Sequence, residues 1–211
     1  ASNGRLYGMA YQGGANNGGI LFEFNPANDS FLKKKDFSGS ADGRNPFGSL
    51  MQATDEYLYG CTYRGGSNNA GVLFQFATGN AGFVKKVDLN AAVNGKQAFG
   101  NLLQTDNYKV YGMTNAGGSN DLGVLFEYDA ENKTYSKKAD FSSSSGSKPY
   151  GSLTRAGNGK LYGMTSAGGA YDYGVLFEYN PVNNSYSRKL DFDGNNGRNP
   201  YSAMTLANDT I

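Results

Sequence analysis

Four glycine-rich segments, GGANNGG (13–19), GGSNNAG (65–71), GGSNDLG (117–123) and GGAYDYG (168–174), each set asparagine or aspartate between glycines. Short loops of this kind offer amide, carboxylate and backbone groups, and loops on a rigid scaffold are where binding groups concentrate. Asn17, Asn69, Asp121 and Asp172 are the candidate polar contacts, and Tyr11, Tyr63, Arg64 and Tyr171 lie in or beside the same segments. A flat ring next to hydrogen-bonding side chains is the arrangement a sugar needs. A second set of segments, SGSADGRNP (38–46), NAAVNGKQA (90–98), SSSSGSKP (142–149) and DGNNGRNP (193–200), carries one cation each near its end: Arg44, Lys96, Lys148 and Arg198. Four such cations related by a repeat would attract a carboxylated or sulfated ligand. The alternative is solvated loop charges balanced by Asp42 and Asp193.

Catalytic chemistry finds less support. Histidine is absent and Cys61 is the one cysteine, which removes Ser-His-Asp and Cys-His machinery and any internal disulfide. A glycosidase or lyase would need two carboxyls at a defined separation. Glu23, Glu127 and Glu178 instead recur at equivalent places, with Gln75 at the fourth, so no unique pair stands out. No catalytic residue and no cofactor is assigned. The Asn/Asp loops could hold Ca²⁺, which prefers several oxygen ligands, but none matches an EF-hand or a Gly-Gly-x-Gly-x-Asp nonapeptide, and no metal site is assigned. With 19 basic and 18 acidic residues the chain has no long-range field to draw in nucleic acid. No apolar run approaches the ~18 residues of a membrane span.

These loops must be held by elements, and internal repetition says which. Leu6-Tyr7-Gly8-Met9 returns as Leu58-Tyr59-Gly60-Cys61, Val110-Tyr111-Gly112-Met113 and Leu161-Tyr162-Gly163-Met164, with tyrosines 52, 52 and 51 residues apart. Each unit reads as four short strands, A to D, bounded by turn residues. In the second unit they span about 49–54, 57–63, 71–76 and 83–89. No stretch carries a 3.6-residue apolar period, so helix should be nearly absent. Four strands in about 50 residues is the size of a propeller blade, with a β-solenoid as the alternative. The expected fold is all-β: a β-propeller of four four-stranded blades, one domain over 1–211, with units near 1–47, 48–99, 100–150 and 151–201. Residues 202–211 resemble 152–161, so they are expected to complete the first blade and close the ring. In such a blade the B–C and D–A connections share one face, which gathers the two loop sets described above. The basic pairs 34–35, 85–86, 137–138 and 188–189 fall on strand D, where lysine discourages edge pairing. The aspartates that follow, Asp36, Asp88, Asp140 and Asp191, are expected to make a repeated ion pair or turn cap with the basic residue two positions earlier. Cys61, at a methionine position, is expected to be a buried hydrophobe.

The segment Leu-Tyr-Gly-Met-Thr-Ser-Ala-Gly-Gly-Ala-Tyr-Asp-Tyr-Gly-Val-Leu-Phe-Glu-Tyr (161–179), with Asp36-Phe37, Asn45-Pro46 and Gly48-Ser49-Leu50, resembles the GloVer-type tandem repeat of bacterial secreted and cell-surface proteins. The second unit departs from the pattern at Leu89 and Ala98. The resemblance implies export and a surface role, with this chain one module of a larger protein or a trimmed product. The sequence thus leads to a non-catalytic extracellular binding or adhesion module, its partner a glycan or a surface protein. The competing readings are a structural spacer and, behind it, a carboxylate-dependent glycosidase or lyase.

Overall fold

The computed structural model describes residues 1–79, 82–105 and 108–207. They form sixteen strands and, among the described residues, no helix. Four antiparallel sheets follow one another along the chain. The first comprises β1 (Leu6–Ala10), β2 (Ile20–Asn25) and β3 (Ser30–Asp36). The second is built on β5 (Met51–Gln52), β6 (Leu58–Arg64), β7 (Val72–Ala77) and β8 (Gly82–Asp88), and β4 (Arg44–Pro46), from the preceding D–A loop, also pairs with β6. The third contains β9 (Leu103–Gln104), β10 (Lys109–Thr114), β11 (Val124–Asp129) and β12 (Thr134–Asp140). The fourth contains β13 (Thr154–Arg155), β14 (Leu161–Met164), β15 (Val175–Asn180) and β16 (Ser185–Asp191). Strand order within each sheet follows chain order, the up-and-down pattern expected of a propeller blade.

The inner strands are shorter than the sequence suggests, two residues rather than about six. The reason lies in where their polar groups go. Ser49 N–H donates to Asn101 Oδ1 (2.7 Å) and Asn101 N–H to Ser152 Oγ (2.7 Å), so these groups bond sideways to the neighbouring sheet instead of to strand B. Gln52 and Gln104 extend the same link, accepting from Ser2 N–H and Thr54 N–H (both 2.8 Å). The fourth strand expected for the first sheet is not found among the described residues. Residues 202–207 form no strand, and Thr154 Oγ1 of the fourth sheet donates to the Met204 carbonyl (2.6 Å).

The core lies between sheets. Three buried clusters form, one per junction: Leu21 and Phe37 with Phe74 and Phe76; Tyr59, Cys61 and Leu73 with Phe126 and Tyr128; Tyr111, Met113 and Leu125 with Phe177 and Tyr179. Each fully buried Phe or Leu contributes ~1.5–3 kcal/mol. Strand-B tyrosines meet strand-C aromatics across the junctions, as in Tyr59–Tyr128 (6.3 Å) and Tyr111–Tyr179 (6.0 Å). Cys61 fills its methionine position as expected, and burial pushes its thiol up to about 12. An aromatic thiol reagent should therefore leave Cys61 unmodified in the native protein and label it at once in denaturant; rapid native labelling would contradict this packing.

The sheets approach closely along their inner strands because glycine stands at each contact. A Cβ added at Gly100 would lie 2.3 Å from the Gly151 carbonyl oxygen, a backbone atom that cannot rotate away. Gly100→Ala is expected to lower stability by about 1–3 kcal/mol, measured by urea unfolding. The exposed Gly157→Ala, with nothing within 4 Å of the added atom, serves as the neutral control.

Candidate functional site

Charged residues form two systems, at opposite ends of the strands. Near the start of strand B, Tyr7, Tyr111 and Tyr162 donate their hydroxyls to Glu23, Glu127 and Glu178 on strand C. All three carboxylates are buried and each also meets two cations: Glu23 with Arg5 and Lys34, Glu127 with Lys109 and Lys138, Glu178 with Lys160 and Lys189. A β-bulge makes this possible. In every sheet the C–D register shifts at the Leu-Phe pair, leaving Lys34, Lys86, Lys138 or Lys189 as the extra residue. The bulge re-aims that lysine inward, so in the first, third and fourth sheets it neutralises a buried carboxylate rather than guarding an edge. It also corrects the expected Asp spacing. Asp36, Asp88, Asp140 and Asp191 pair with the cation three positions earlier, Lys33, Lys85, Lys137 and Arg188, at 2.7–3.2 Å. The same aspartates cap the B–C loops by accepting from the N–H groups of Ala15, Ser67, Ser119 and Ala170.

Hydrogen bonds from Tyr162 and Lys160 hold Glu178 down at about 2, against an ordinary value of 4.5. A carboxylate with a depressed native pKa contributes stability above its unfolded value and loses it as pH falls through the native one. The melting temperature should therefore fall between pH 4.5 and about 2, and Glu178→Gln should flatten that fall. An unchanged slope would mean the network does not carry the acid sensitivity.

At the other end, the B–C and D–A loops interlock. Asn17, Asn69, Asp121 and Asp172 each occupy the left-handed region and accept from the N–H of the first loop glycine: Gly13, Gly65, Gly117 and Gly168. One oxygen of each candidate is thus committed to the loop's own shape. The cations are placed less regularly than the sequence implied. Arg44, Lys96 and Ser147 bridge to Arg64, Ala116 and Ala167, so Ser147 holds the third position and Lys148 stands one residue beyond, equivalent to Asn45, Gln97 and Asn199. Lys96 pairs with Asp121 (2.9 Å). Arg44 is exposed, its Nε donating to Asn45 Oδ1 (3.1 Å). Arg198 is exposed in the last such loop.

A row of aromatic rings, not singled out from the sequence, runs beside these loops. Phe47–Phe99, Phe99–Tyr150 and Tyr150–Tyr201 lie 4.9, 4.9 and 4.8 Å apart between centroids. Tyr11 meets Phe47 (6.0 Å) and Tyr63 meets Phe99 (5.0 Å), with the Arg64 guanidinium over the Tyr63 ring (5.1 Å). Phe47 is 59% exposed and Tyr201 62%, whereas junction tyrosines such as Tyr59 are 1% exposed. The rings tilt by 38–87° to one another, so the row presents successive facets rather than one platform. Its signal in the sequence was an aromatic before Gly48, Gly100, Gly151 and Ser202, at the repeat spacing. Tyr171 and Asp172 lie on the outermost B–C loop of the fourth sheet, and Tyr171 is 59% exposed.

Successive up-and-down antiparallel sheets, packed face to face with their loops gathered at one end, define a propeller-like repeat protein. The model of the Gloeobacter/Verrucomicrobia repeat matches residues 1–108, just over half of the 211-residue chain, and the chain belongs to that family. No curated protein matches it. Among solved structures the chain is similar to the extracellular domain of BT4673 from B. thetaiotaomicron, with 15% identity and a TM-score of 0.67 over 96% of this chain and 23% of that one. It is also similar to TolB from Acinetobacter baumannii (12% identity, TM-score 0.55, 88% and 40% covered). A third likeness is to a Bacteroides uniformis structure described as a 6-phosphogluconolactonase (14% identity, TM-score 0.52, 89% and 54% covered). The chain thus spans about a quarter of the BT4673 structure's length, and at these identities the likeness concerns the fold.

Proposed function

We propose that the chain is a non-catalytic extracellular binding module whose ligand, a polysaccharide, lies along the aromatic row on the face of the B–C and D–A loops. The observation that carries this reading is the exposure of Phe47 and Tyr201 at the two ends of a continuous run of rings whose middle members, Phe99 and Tyr150, are half-buried. Pyranose rings present flat C–H faces that pack on aromatic edges and faces, while their hydroxyls seek amides and charged groups alongside. Arg64 and Asn69 supply the latter, and Tyr11 and Tyr63 add ring faces and hydroxyls. The alternative of a carboxylate-dependent hydrolase is disfavoured because Glu23, Glu127 and Glu178 are each buried against two cations and a tyrosine, which commits their oxygens to the fold rather than to a substrate. An extracellular setting is supported by the family's repeat and by the extracellular domain among the structural neighbours.

Affinity electrophoresis in gels containing neutral and acidic polysaccharides tests the reading. Phe47→Ala and Tyr201→Ala should each weaken binding by ~1 kcal/mol, about fivefold in Kd, with unfolding midpoints unchanged. If no polysaccharide retards the native chain, or if both variants bind as tightly as it does, the aromatic row is not a sugar site.

A further inference from the structure

The loop face repeats along the chain, but one junction is chemically unlike the others. Where the first D–A loop meets the second B–C loop there is an open cleft of about 430 Å³, lined by Ser38, Ser40, Arg44, Ser67 and Asn69 among others. The corresponding place at the next junction is closed electrostatically, since Lys96 is paired with Asp121. At the third junction Ser147 replaces the cation and Asp172 occupies the loop position. In the cleft, the position of Asp121 and Asp172 is held by the neutral Asn69, so Arg44 has no counter-charge there.

A second arginine adds to the imbalance. Arg44 and Arg64 are direct cross-strand partners of β4 and β6, so their side chains leave the same face of that pairing. Like charges directly opposite one another are unfavourable unless an anion lies between them. The equivalents of Arg64 are the uncharged Ala116 and Ala167, so the doubled cation exists at this junction alone among the three. Neighbouring carboxylates do not relieve it. Asp42 is occupied by Lys35 and by Ser38 N–H and Oγ. Asp88 is occupied by Lys85 and by Ser67 N–H and Oγ. Among the described residues, no carboxylate lies within ion-pair distance of either arginine. Arg64 also lies over Tyr63, which touches Phe99, so the arginine pair stands beside the aromatic row.

We infer that Arg44 and Arg64 form an anion subsite, and that the polysaccharide bound along the aromatic row is an acidic one bearing carboxylate or sulfate groups. The inference rests on the sugar-binding reading of the row and adds its charge specificity. Guanidinium suits this task because its planar fork of donors matches both carboxylate and sulfate oxygens. The site is local: it belongs to the first junction and not to a ring of four cations.

The test compares dextran, polygalacturonate and dextran sulfate as probes for the whole chain at low salt. The native chain should bind the two acidic polymers at least about tenfold more tightly than dextran, and the ratio between the two separates carboxylate from sulfate recognition. The Arg44→Ala/Arg64→Ala double variant should lose that preference while still binding through the rings. Asn69→Asp should lose it too, because it recreates at this cleft the acidic partner that Lys96 already has. Lys96→Ala removes the same net charge as Asn69→Asp adds in the negative sense, yet should retain the preference. A preference that survives both cleft variants, that vanishes in Lys96→Ala, or that the native chain lacks overturns the subsite and leaves the sugar-binding reading standing. Failure of the native chain to bind any of the three polymers removes the reading and the subsite together.

Discussion

The fold depends on one recurring stitch, in which each of the three D–A loops between sheets bonds to both of them at once. Backward, Asn45, Gln97, Lys148 and Asn199 donate their N–H groups to carbonyls of the B–C loop in their own sheet: Gly18, Ala70, Leu122 and Tyr173. Forward, the loop offers a carbonyl to the next sheet, as Gly39, Ala91 and Ser143 accept from Gly66, Gly118 and Gly169. A buried threonine on the next strand B seats the joint. Thr62, Thr114 and Thr165 lie so close under Gly43, Gly95 and Gly146 that a Cβ there would come within 2.2–2.6 Å of the hydroxyl. The apolar faces supply most of the favourable free energy, but they are non-directional. The stitch fixes the register in which those faces meet, and with it the convergence of loops and rings at one end.

Much of this was legible from residue types and spacing. The fifty-residue repeat, the four strands per unit, the absence of helix and the common face of the two loop sets all follow from periodicity. What escaped the sequence reading was geometry that breaks simple alternation. The bulge at each Leu-Phe pair inserts one residue, so Lys33 and not Lys34 shares a face with Asp36, and Lys34 turns to Glu23. Counting by two cannot reveal that. The cation of the third D–A loop looked equivalent to Arg44, but it stands two residues after Gly146 where Arg44 follows Gly43 directly, and the bridge of Ser147 to Ala167 makes the offset plain. The aromatic row was hidden for a different reason: Phe47, Phe99, Tyr150 and Tyr201 repeat just as core residues do, and what separates them is that Phe47 and Tyr201 are exposed and Phe99 and Tyr150 half-buried.

The second sheet shows how the buried network behaves when a member changes. Gln75 stands where the other sheets have glutamate, and Tyr57 stands where they have Arg5, Lys109 or Lys160. A charged partner left without its opposite inside a protein is costly, and here the acid and one of its bases are absent together. Gln75 Nε2 still donates to the Tyr59 hydroxyl (3.2 Å), which in turn donates to Asp55 (2.7 Å). Lys86, the bulge lysine, remains, and burial together with the nearby Lys133 lowers its pKa.

The tyrosine–carboxylate link is made inside a single sheet, whereas neighbouring sheets meet through apolar faces that accept phenylalanine or tyrosine alike: Tyr7 against Phe76, Tyr59 against Tyr128, Tyr111 against Tyr179. A unit therefore carries its demanding electrostatics with it and presents an undemanding surface to whatever precedes or follows. Adding, deleting or exchanging units would leave each buried carboxylate with its own tyrosine and cations, and the charge pairing that crosses a seam is confined to loop residues such as Lys96 and Asp121. Loop chemistry, such as an arginine pair at one junction, is then free to diverge while the scaffold stays constant.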